Sequence, residues 1–318
     1  MSVVLITGAS SGIGRAAALQ VSAKGDDVVL VARGRTALRA TAAECEAAGA
    51  ASVLVVTTDV GDDAAVARCI AKTLKTHDTI DLVLNCAGVV AYGRVEDVPA
   101  DVFDGVLRTN LIGAVNVARH VVPVLREQGH GSLMYVGSVI GHIAVPLMSP
   151  YVLSKWGIRA LARQLQLENR DLRDVHISYI APGGVDTPIY RQAATYVGAP
   201  GRPPPPVASP ERVASAALAR AGRPHAREQV GLANDLIRFG FATFPRVYDA
   251  LVGPLFQVAA MDLTDPQPSG PGNVLEPGED NAVRGDQGNA LVGIARNLRS
   301  VVRGDRPKDL GRARSVGE

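Results

Sequence analysis

Cysteine is scarce. Cys45, Cys69 and Cys86 are the only three in 318 residues, too few for a disulfide framework and spaced like no zinc motif. The six histidines form no His-x3-His or mixed ligand cluster, so no catalytic metal is expected. Aromatic residues make up 4% of the chain, which argues against base stacking along nucleic acid as its main work. Charge of one sign is also missing. Lysine and arginine total 33 against 31 acidic residues, a net +2, and nothing in that balance draws the whole chain onto nucleic acid or an anionic membrane. No run reaches the roughly 18 apolar residues of a membrane span, so no integral membrane segment is expected. The start, Met1-Ser-Val-Val-Leu-Ile-Thr-Gly, lacks the basic opening and cleavage site of a secretory signal, which makes a cytoplasmic setting the expectation. What is present is apolar material, 47% of residues. That is enough for a large core and excludes a wholly disordered chain.

Up to about residue 185 two periods alternate. Short β-branched runs, Val3 to Ile6, Val28 to Val31, Val53 to Val56, Leu82 to Leu84, Leu133 to Val136 and Val175 to Ile180, are apolar at consecutive positions, as in strands buried on both faces of a parallel sheet. Between them stand helical spacings such as Ile13 to Ala23, Ala64 to Leu74, Val102 to Leu125 and Pro150 to Arg170. The alternation predicts an α/β, doubly wound parallel sheet. Later, Ser209-Pro210-Glu211 reads as a helix start and Gln229 to Leu232 as a last strand. Ile237, Phe241, Phe244, Tyr248, Leu251 and Leu255 make one apolar helix face, which Pro245 can split in two.

The chemistry begins at Thr7-Gly8-Ala9-Ser10-Ser11-Gly12-Ile13-Gly14, between the first strand and the first helix. Glycines let the backbone turn tightly and approach a pyrophosphate, and a helix N-terminus offers free N–H groups to it. Tyr151 and Lys155 share a helix face. A free tyrosine ionises near pH 10. A neighbouring ammonium favours phenolate, so the pair suggests a tuned proton donor or acceptor.

Taken together these motifs resemble the classical short-chain dehydrogenase/reductase family. Asn85-Cys86-Ala87-Gly88 stands where that family shows Asn-Asn-Ala-Gly, Ser138, Tyr151 and Lys155 fall in its Ser-x12-Tyr-x3-Lys arrangement, and Pro182-Gly183-Gly184-Val185-Asp186-Thr187 follows the sixth strand. The resemblance covers about residues 3 to 190. It implies a Rossmann-type single domain over 1–263 and four catalytic residues: Asn110, Ser138, Tyr151 and Lys155. Ser138 would bind the reacting oxygen, Lys155 the nicotinamide ribose, and Asn110 a water in a proton relay. The resemblance implies cofactor contacts at Gly8, Ser10, Ser11, Gly12, Ile13 and Gly14. Others are implied at Asp59, Val60, Asn85, Ala87 and Gly88, and at Tyr151, Lys155, Pro182, Gly183, Val185 and Thr187.

The second strand ends Ala32-Arg33. NAD-binding folds place a carboxylate there, whereas arginine suits a 2′-phosphate, so the expected cofactor is NADP(H), with Arg33 on the phosphate. Arg15 and Arg35 read as solvated surface charges that could assist. Cys86 reads as a buried filler, and His142 as exposed or bordering the substrate. Family analogy sets Val139 to Met148 and Pro188 to Val197 around the nicotinamide. Ile140, Val145, Leu147, Met148, Ile189 and Tyr190 make those walls apolar or, equally, ordinary core, and the helices from Phe241 to Phe256 could close them. The expected partner is a small-molecule carbonyl or alcohol, and relatives suggest a homodimer or homotetramer. An oxidative alcohol dehydrogenase, a nonenzymatic NADP(H)-binding sensor and a membrane-surface protein remain alternatives. Thr264 to Gly288, rich in Pro, Gly, Asp and Asn, reads as a loop or disordered linker. Beyond it Leu291, Ile294, Leu298 and Val301 form a helical stripe amid Arg296, Arg299, Arg303, Arg306, Arg312 and Arg314. Residues 264–318 thus read as a separate linker and basic tail.

Overall fold

The computed structural model describes residues 1–223, 228–278 and 281–303. Seven strands form one sheet: β1 Val3–Thr7, β2 Asp27–Ala32, β3 Ser52–Thr57, β4 Leu82–Asn85, β5 Gly131–Val136, β6 Val175–Pro182 and β7 Gln229–Val230. Their order is β3-β2-β1-β4-β5-β6-β7, parallel throughout. The order reverses between β1 and β4, the point where such sheets leave a crevice for a ligand. All seven expected strands are present, with β7 shorter than expected.

Helices α1 Gly12–Ser22, α2 Arg35–Ala47, α3 Asp63–His77, α4 Ala100–Leu107, α5 Gly113–Gln128, α6 Ser149–Glu168 and α7 Pro210–Arg220 cover the two faces. Two apolar layers result. Leu5, Val29, Val83, Leu133 and Ile177 face α3, α5 and α6. Ile6, Leu30, Leu84, Met134 and Ile180 face α1, α2 and α7. Adjacent strand residues thus enter opposite layers, which is why the strands are apolar without alternation. Each such side chain contributes about 1.5–3 kcal/mol on leaving water. The expected helix Val102 to Leu125 is interrupted by a π-helical turn at Arg108–Ile112, and this wide turn carries Asn110.

Pro245 does divide the next apolar stretch, into α8 Leu232–Thr243 and α9 Pro245–Ala260. The stripe is not buried as a whole. Phe244, Leu251 and Leu255 are more than half exposed. Phe241 stacks edge-on against Trp156 and Tyr248, and Phe256 and Ala260 alone reach the interior.

Residues 264–278 and 281–288 are irregular chain, as the loop reading expects, but they are packed against the fold rather than standing apart from it. Val274 is 2% exposed and packs with Val89, Val98, Val102 and Val106. Thr195 and Gly270 exchange two backbone hydrogen bonds of 3.0 Å. Irregular, glycine-rich chain here is anchored by the fold rather than excluded from it. Helix α10, Ala290–Arg303, forms where expected, but the described part of its stripe does not dock it, the Val301 side chain lying outside the described residues. Leu291 and Leu298 stay exposed, whereas Asn297 is fully buried. Its amide accepts from Leu263 N–H and donates to the Val258 and Met261 carbonyls. The side chain of Arg303, and Arg306, Arg312 and Arg314 entirely, lie outside the described residues.

Candidate active site and cofactor cleft

The glycine turn is dictated by contact. Gly8 has φ +66°, and a Cβ on Gly14 would lie 2.3 Å from the Gly8 carbonyl oxygen. Only glycine lets α1 start this close to β1. The Thr7 hydroxyl then donates to Asn85 Oδ1 at 2.7 Å and accepts from Ala87 N–H at 3.1 Å, pinning the end of β4 beside the turn. A cleft opens here. Gly8, Ser10, Ser11, Gly12, Ile13 and Gly14 line one side, and Asp59, Val60, Ala87 and Gly88 face them. Arg33 and Thr187 line it as well, with Thr187 against Gly12.

The remaining expected contacts stand elsewhere. Asn85 turns its side chain to Thr7 instead of the cleft. Val185 is buried against the α1 and α7 layer. Gly183 packs against Asn234, whose amide donates to the Ala181 carbonyl, and Pro182 pairs with Val230. These residues shape the loop that delivers Thr187 to the cleft. Arg15 is no solvated charge. It is 8% exposed, bidentate to Glu44, and hydrogen-bonded to the Asn281 carbonyl. Burial draws the Arg33 guanidinium below its ordinary pKa, with Asp59 opposing. It donates to the Asn273 and Val274 carbonyls, a contact for which residues near Arg33 carry no signal.

Beside Gly88 lies a polar cluster. Tyr151 and Lys155 stand on one face of α6, with Lys155 Nζ 5.5 Å from the Tyr151 ring centre. Lys155 is buried and donates to the Val136 carbonyl at 3.1 Å. Burial lowers its pKa to about 8. Tyr151 departs from expectation. Burial pushes its phenol up to about 12, and a side-chain hydrogen bond with Ser138 opposes this. Desolvation here outweighs that hydrogen bond, so the side chain holds its proton. Ser138 Oγ accepts from Ile140 N–H at 3.3 Å, and its hydroxyl also bonds Tyr151.

Two residues hold this cluster in place. Asn110, 1% exposed, accepts from Val89 N–H at 2.8 Å and donates to the Val89 carbonyl at 2.9 Å and to Ser154 Oγ at 3.0 Å. Both amide hydrogens are thus committed, tying α6 to the chain after β4. A relay water would therefore have to be held by another group or by the one remaining lone pair. Tyr179, missed in the sequence, lies under Ser138. Its hydroxyl meets the Ser138 N–H at 3.4 Å and carbonyl at 3.3 Å, and a Cβ on Gly137 would sit 2.2 Å from its ring. A glycine directly before the serine was the available signal.

Other candidates recede. Cys86 is held protonated, its pKa raised to about 12 by burial, and is no nucleophile. His142 is buried against Tyr179 with ring centres 6.0 Å apart, and it does not line the cleft. No group of three metal-ligating side chains occurs among the described residues, and no helix among them is long and apolar enough to cross a membrane. Around Tyr151, Ile140, Val145, Leu147, Ile189 and Tyr190 pack on Met148, Phe256 and Met261. The expected pocket walls therefore touch one another, with α9 against them.

A parallel sheet with a glycine turn at its switch point and a Ser-Tyr-Lys-Asn cluster beside it defines a dinucleotide-type α/β fold equipped for proton transfer. The short chain dehydrogenase profile matches residues 2–196, and the chain belongs to that family of nicotinamide-dependent oxidoreductases. Among curated relatives it is 31% identical over 185 residues to an NADPH-dependent pterin aldehyde reductase of Arabidopsis thaliana, covering 58% of this chain and 75% of the relative. It is 31% identical over 202 residues to dehydrogenase/reductase SDR family member 7B of Bos taurus, covering 62% of each. Among solved structures, an alcohol dehydrogenase from the archaeon Thermococcus sibiricus complexed with 5-hydroxy-NADP is 28% identical. Its TM-score is 0.62, over 72% of this chain and 95% of that one. A Mycobacterium paratuberculosis short chain dehydrogenase bound to NAD shares the fold at 24% identity and TM-score 0.61, over 70% and 90%.

Proposed function

We propose that this chain is an NADP(H)-dependent oxidoreductase that reduces an apolar ketone or aldehyde to an alcohol, with Tyr151 as proton donor. The observation that carries the reading is the meeting of Ser138, Tyr151, Lys155 and Asn110 beside Gly88, which lines a cleft that Arg33 also lines. The cleft suits a dinucleotide. Its glycines bring backbone N–H groups to the surface, and a guanidinium stands where NAD-selective folds carry a carboxylate. The cofactor, held between Arg33, the α1 N-terminus and Thr187, would supply hydride to the carbonyl carbon.

This chain's own residues supply the proton chemistry. Ser138 Oγ–H donates to the carbonyl oxygen and stabilises its growing charge. Tyr151 transfers its phenolic proton to that oxygen. A raised pKa suits the reductive direction, because the donor stays protonated at neutral pH. Lys155, with a pKa near 8, can reprotonate the phenolate. Asn110 and Tyr179 position the cluster. The apolar side chains around Tyr151 favour an apolar substrate over a charged one.

The Thermococcus complex and the pterin aldehyde reductase support NADP(H) and carbonyl reduction by likeness, and the Mycobacterium complex keeps NAD as the competitor. Purified protein mixed with NADPH and a panel of apolar ketones tests the reading. NADPH consumption with matching alcohol formation is expected, and equal use of NADH would remove the assignment to Arg33. Assembly as a homodimer or homotetramer is part of the proposal, supported by exposed Leu153, Trp156 and Leu167 on α6. Light scattering on the eluted protein tests it.

A further inference from the structure

The C-terminal segment follows the cofactor's expected path. Pro277 Cβ lies 3.7 Å from where a Cβ on Gly34 would be, beside Arg33. Residues 281–282 meet the start of α1, and Gly285 meets Asp186 and Thr187. That is the order in which the adenosine ribose, the pyrophosphate and the nicotinamide would lie. The contacts use the groups that would receive the cofactor. Gly12 N–H, at the first turn of α1, donates to the Ala282 carbonyl at 3.1 Å. The Asn281 carbonyl takes an N–H of Arg15. These carbonyl oxygens stand where phosphate oxygens would accept. Ala282 and a pyrophosphate oxygen cannot both have the same N–H.

The segment divides into a part fixed by the core and a part held at its edge. Residues 270–274 are fixed by Val274 in the core, by the Thr195–Gly270 pair, and by Asn273, which donates from its backbone and side chain to Gln192 at 2.8 Å each. Their carbonyls take two of the five guanidinium donors of Arg33, so the remaining ones stay available for a 2′-phosphate. Residues 281–286 put no side chain fully into the core, although Val283 packs partly buried on the α1 and α7 layer and Arg284 pairs with Glu211 at 3.3 Å. Gly285 N–H donates to Asp186 Oδ1 at 3.2 Å and Arg191 to the Asp286 carbonyl at 2.7 Å. Asp286 adopts φ +47°, a left-handed conformation rarely taken by side-chain-bearing residues.

We propose that residues 281–286 are an autoinhibitory strap that occupies the pyrophosphate position and must be displaced for the cofactor to bind. This rests on the reading of the cleft as a dinucleotide site. A strap closed nine-tenths of the time would weaken the apparent affinity about tenfold.

Two variants loosen the strap at residues that are not themselves cofactor contacts. Gly285→Val places side-chain atoms where Cβ already lies 2.5 Å from the Thr187 carbonyl oxygen, and Arg191→Ala removes the tie to Asp286. In the full chain, NADPH Kd should fall about five- to tenfold in Gly285→Val and less in Arg191→Ala. In the wild type, hydrogen exchange over 281–286 should speed up on adding NADPH. Unchanged or weaker NADPH binding in both variants, or exchange slowed by NADPH, would overturn the strap while leaving the cofactor reading intact. Failure of all three proteins to bind NADPH or NADH would instead defeat the cofactor reading, and the strap with it.

Discussion

The two ends of the cleft are built in opposite ways. At the catalytic end each polar group is held by nearby elements of the core. Asn110 bonds to Val89 and Ser154, Lys155 to Val136, and Tyr179 braces Ser138. At the Arg33 end the binding groups are satisfied by a segment some 240 positions away. The first arrangement fixes geometry for chemistry. The second fixes the Arg33 guanidinium with two of its donors and leaves the others available. Reaction geometry here is a property of the core, whereas access to it belongs to the C-terminal segment.

The largest expected effect lies at the catalytic end. Tyr151→Phe removes the proton and keeps the ring, so turnover should fall at least about 100-fold while titrated cofactor binding persists. Near-normal turnover in the folded variant would take Tyr151 out of the mechanism. Asn110→Ala should cost about 2–3 kcal/mol in denaturant unfolding, because it leaves the buried backbone groups of Val89 without partners. A change under about half a kcal/mol would mean that water replaces the amide.

At the other end, Arg33→Ala should cost NADPH binding about 1.5–3 kcal/mol relative to NADH. The ratio of the two affinities is the proper readout, since loosened rim contacts affect both cofactors alike. Val274→Ala should destabilise the whole fold by about 1–2 kcal/mol through a cavity in the core, whereas Leu275→Ala, 45% exposed, should change little. Equal effects from both would return this segment to the status of a linker.

The smallest effect is one of pH. Burial holds His142 neutral, with its pKa lowered to about 4 from an ordinary 6.5, and Arg159 and Arg238 add to this while Asp235 opposes it. Its nitrogens have no hydrogen-bond partner, and Glu228 at 3.4 Å would pair only with the protonated ring. As pH falls the unfolded chain takes up this proton first, so the contribution is complete above about pH 6.5 and declines towards pH 4. His142→Phe should flatten that part of the Tm-against-pH curve. An unchanged slope would assign the dependence to carboxylates.

What could be read from the sequence follows the same division. The strands, the glycine turn and the Ser-Tyr-Lys spacing are local, with short offsets fixed by backbone periodicity, so Tyr151 and Lys155 share a face as their spacing requires. Helix α2 was harder to see, because its buried stripe includes Thr41 and Cys45 beside Leu38 and Ala42. Tyr179 looked like any core aromatic until β6 was set beside β5. The contacts of Arg33 with residues 273 and 274 had no local signal. A Pro/Gly-rich composition looks the same in a linker and in irregular chain fastened to a fold. The raised pKa of Tyr151 was also hidden, since spacing shows the neighbouring lysine but not the burial that raises the phenol.

The central claim is carbonyl reduction by Tyr151 with NADP(H), and one single-turnover experiment tests it directly. Wild-type protein loaded with NADPH is mixed with apolar ketones, and both cofactor and product are quantified. The account predicts one alcohol formed per NADPH consumed for at least one ketone, with NADH far less effective at equal concentration. Tight NADPH binding with no consumption across aldehydes and ketones of varied size would contradict it and identify a cofactor-binding protein without this activity.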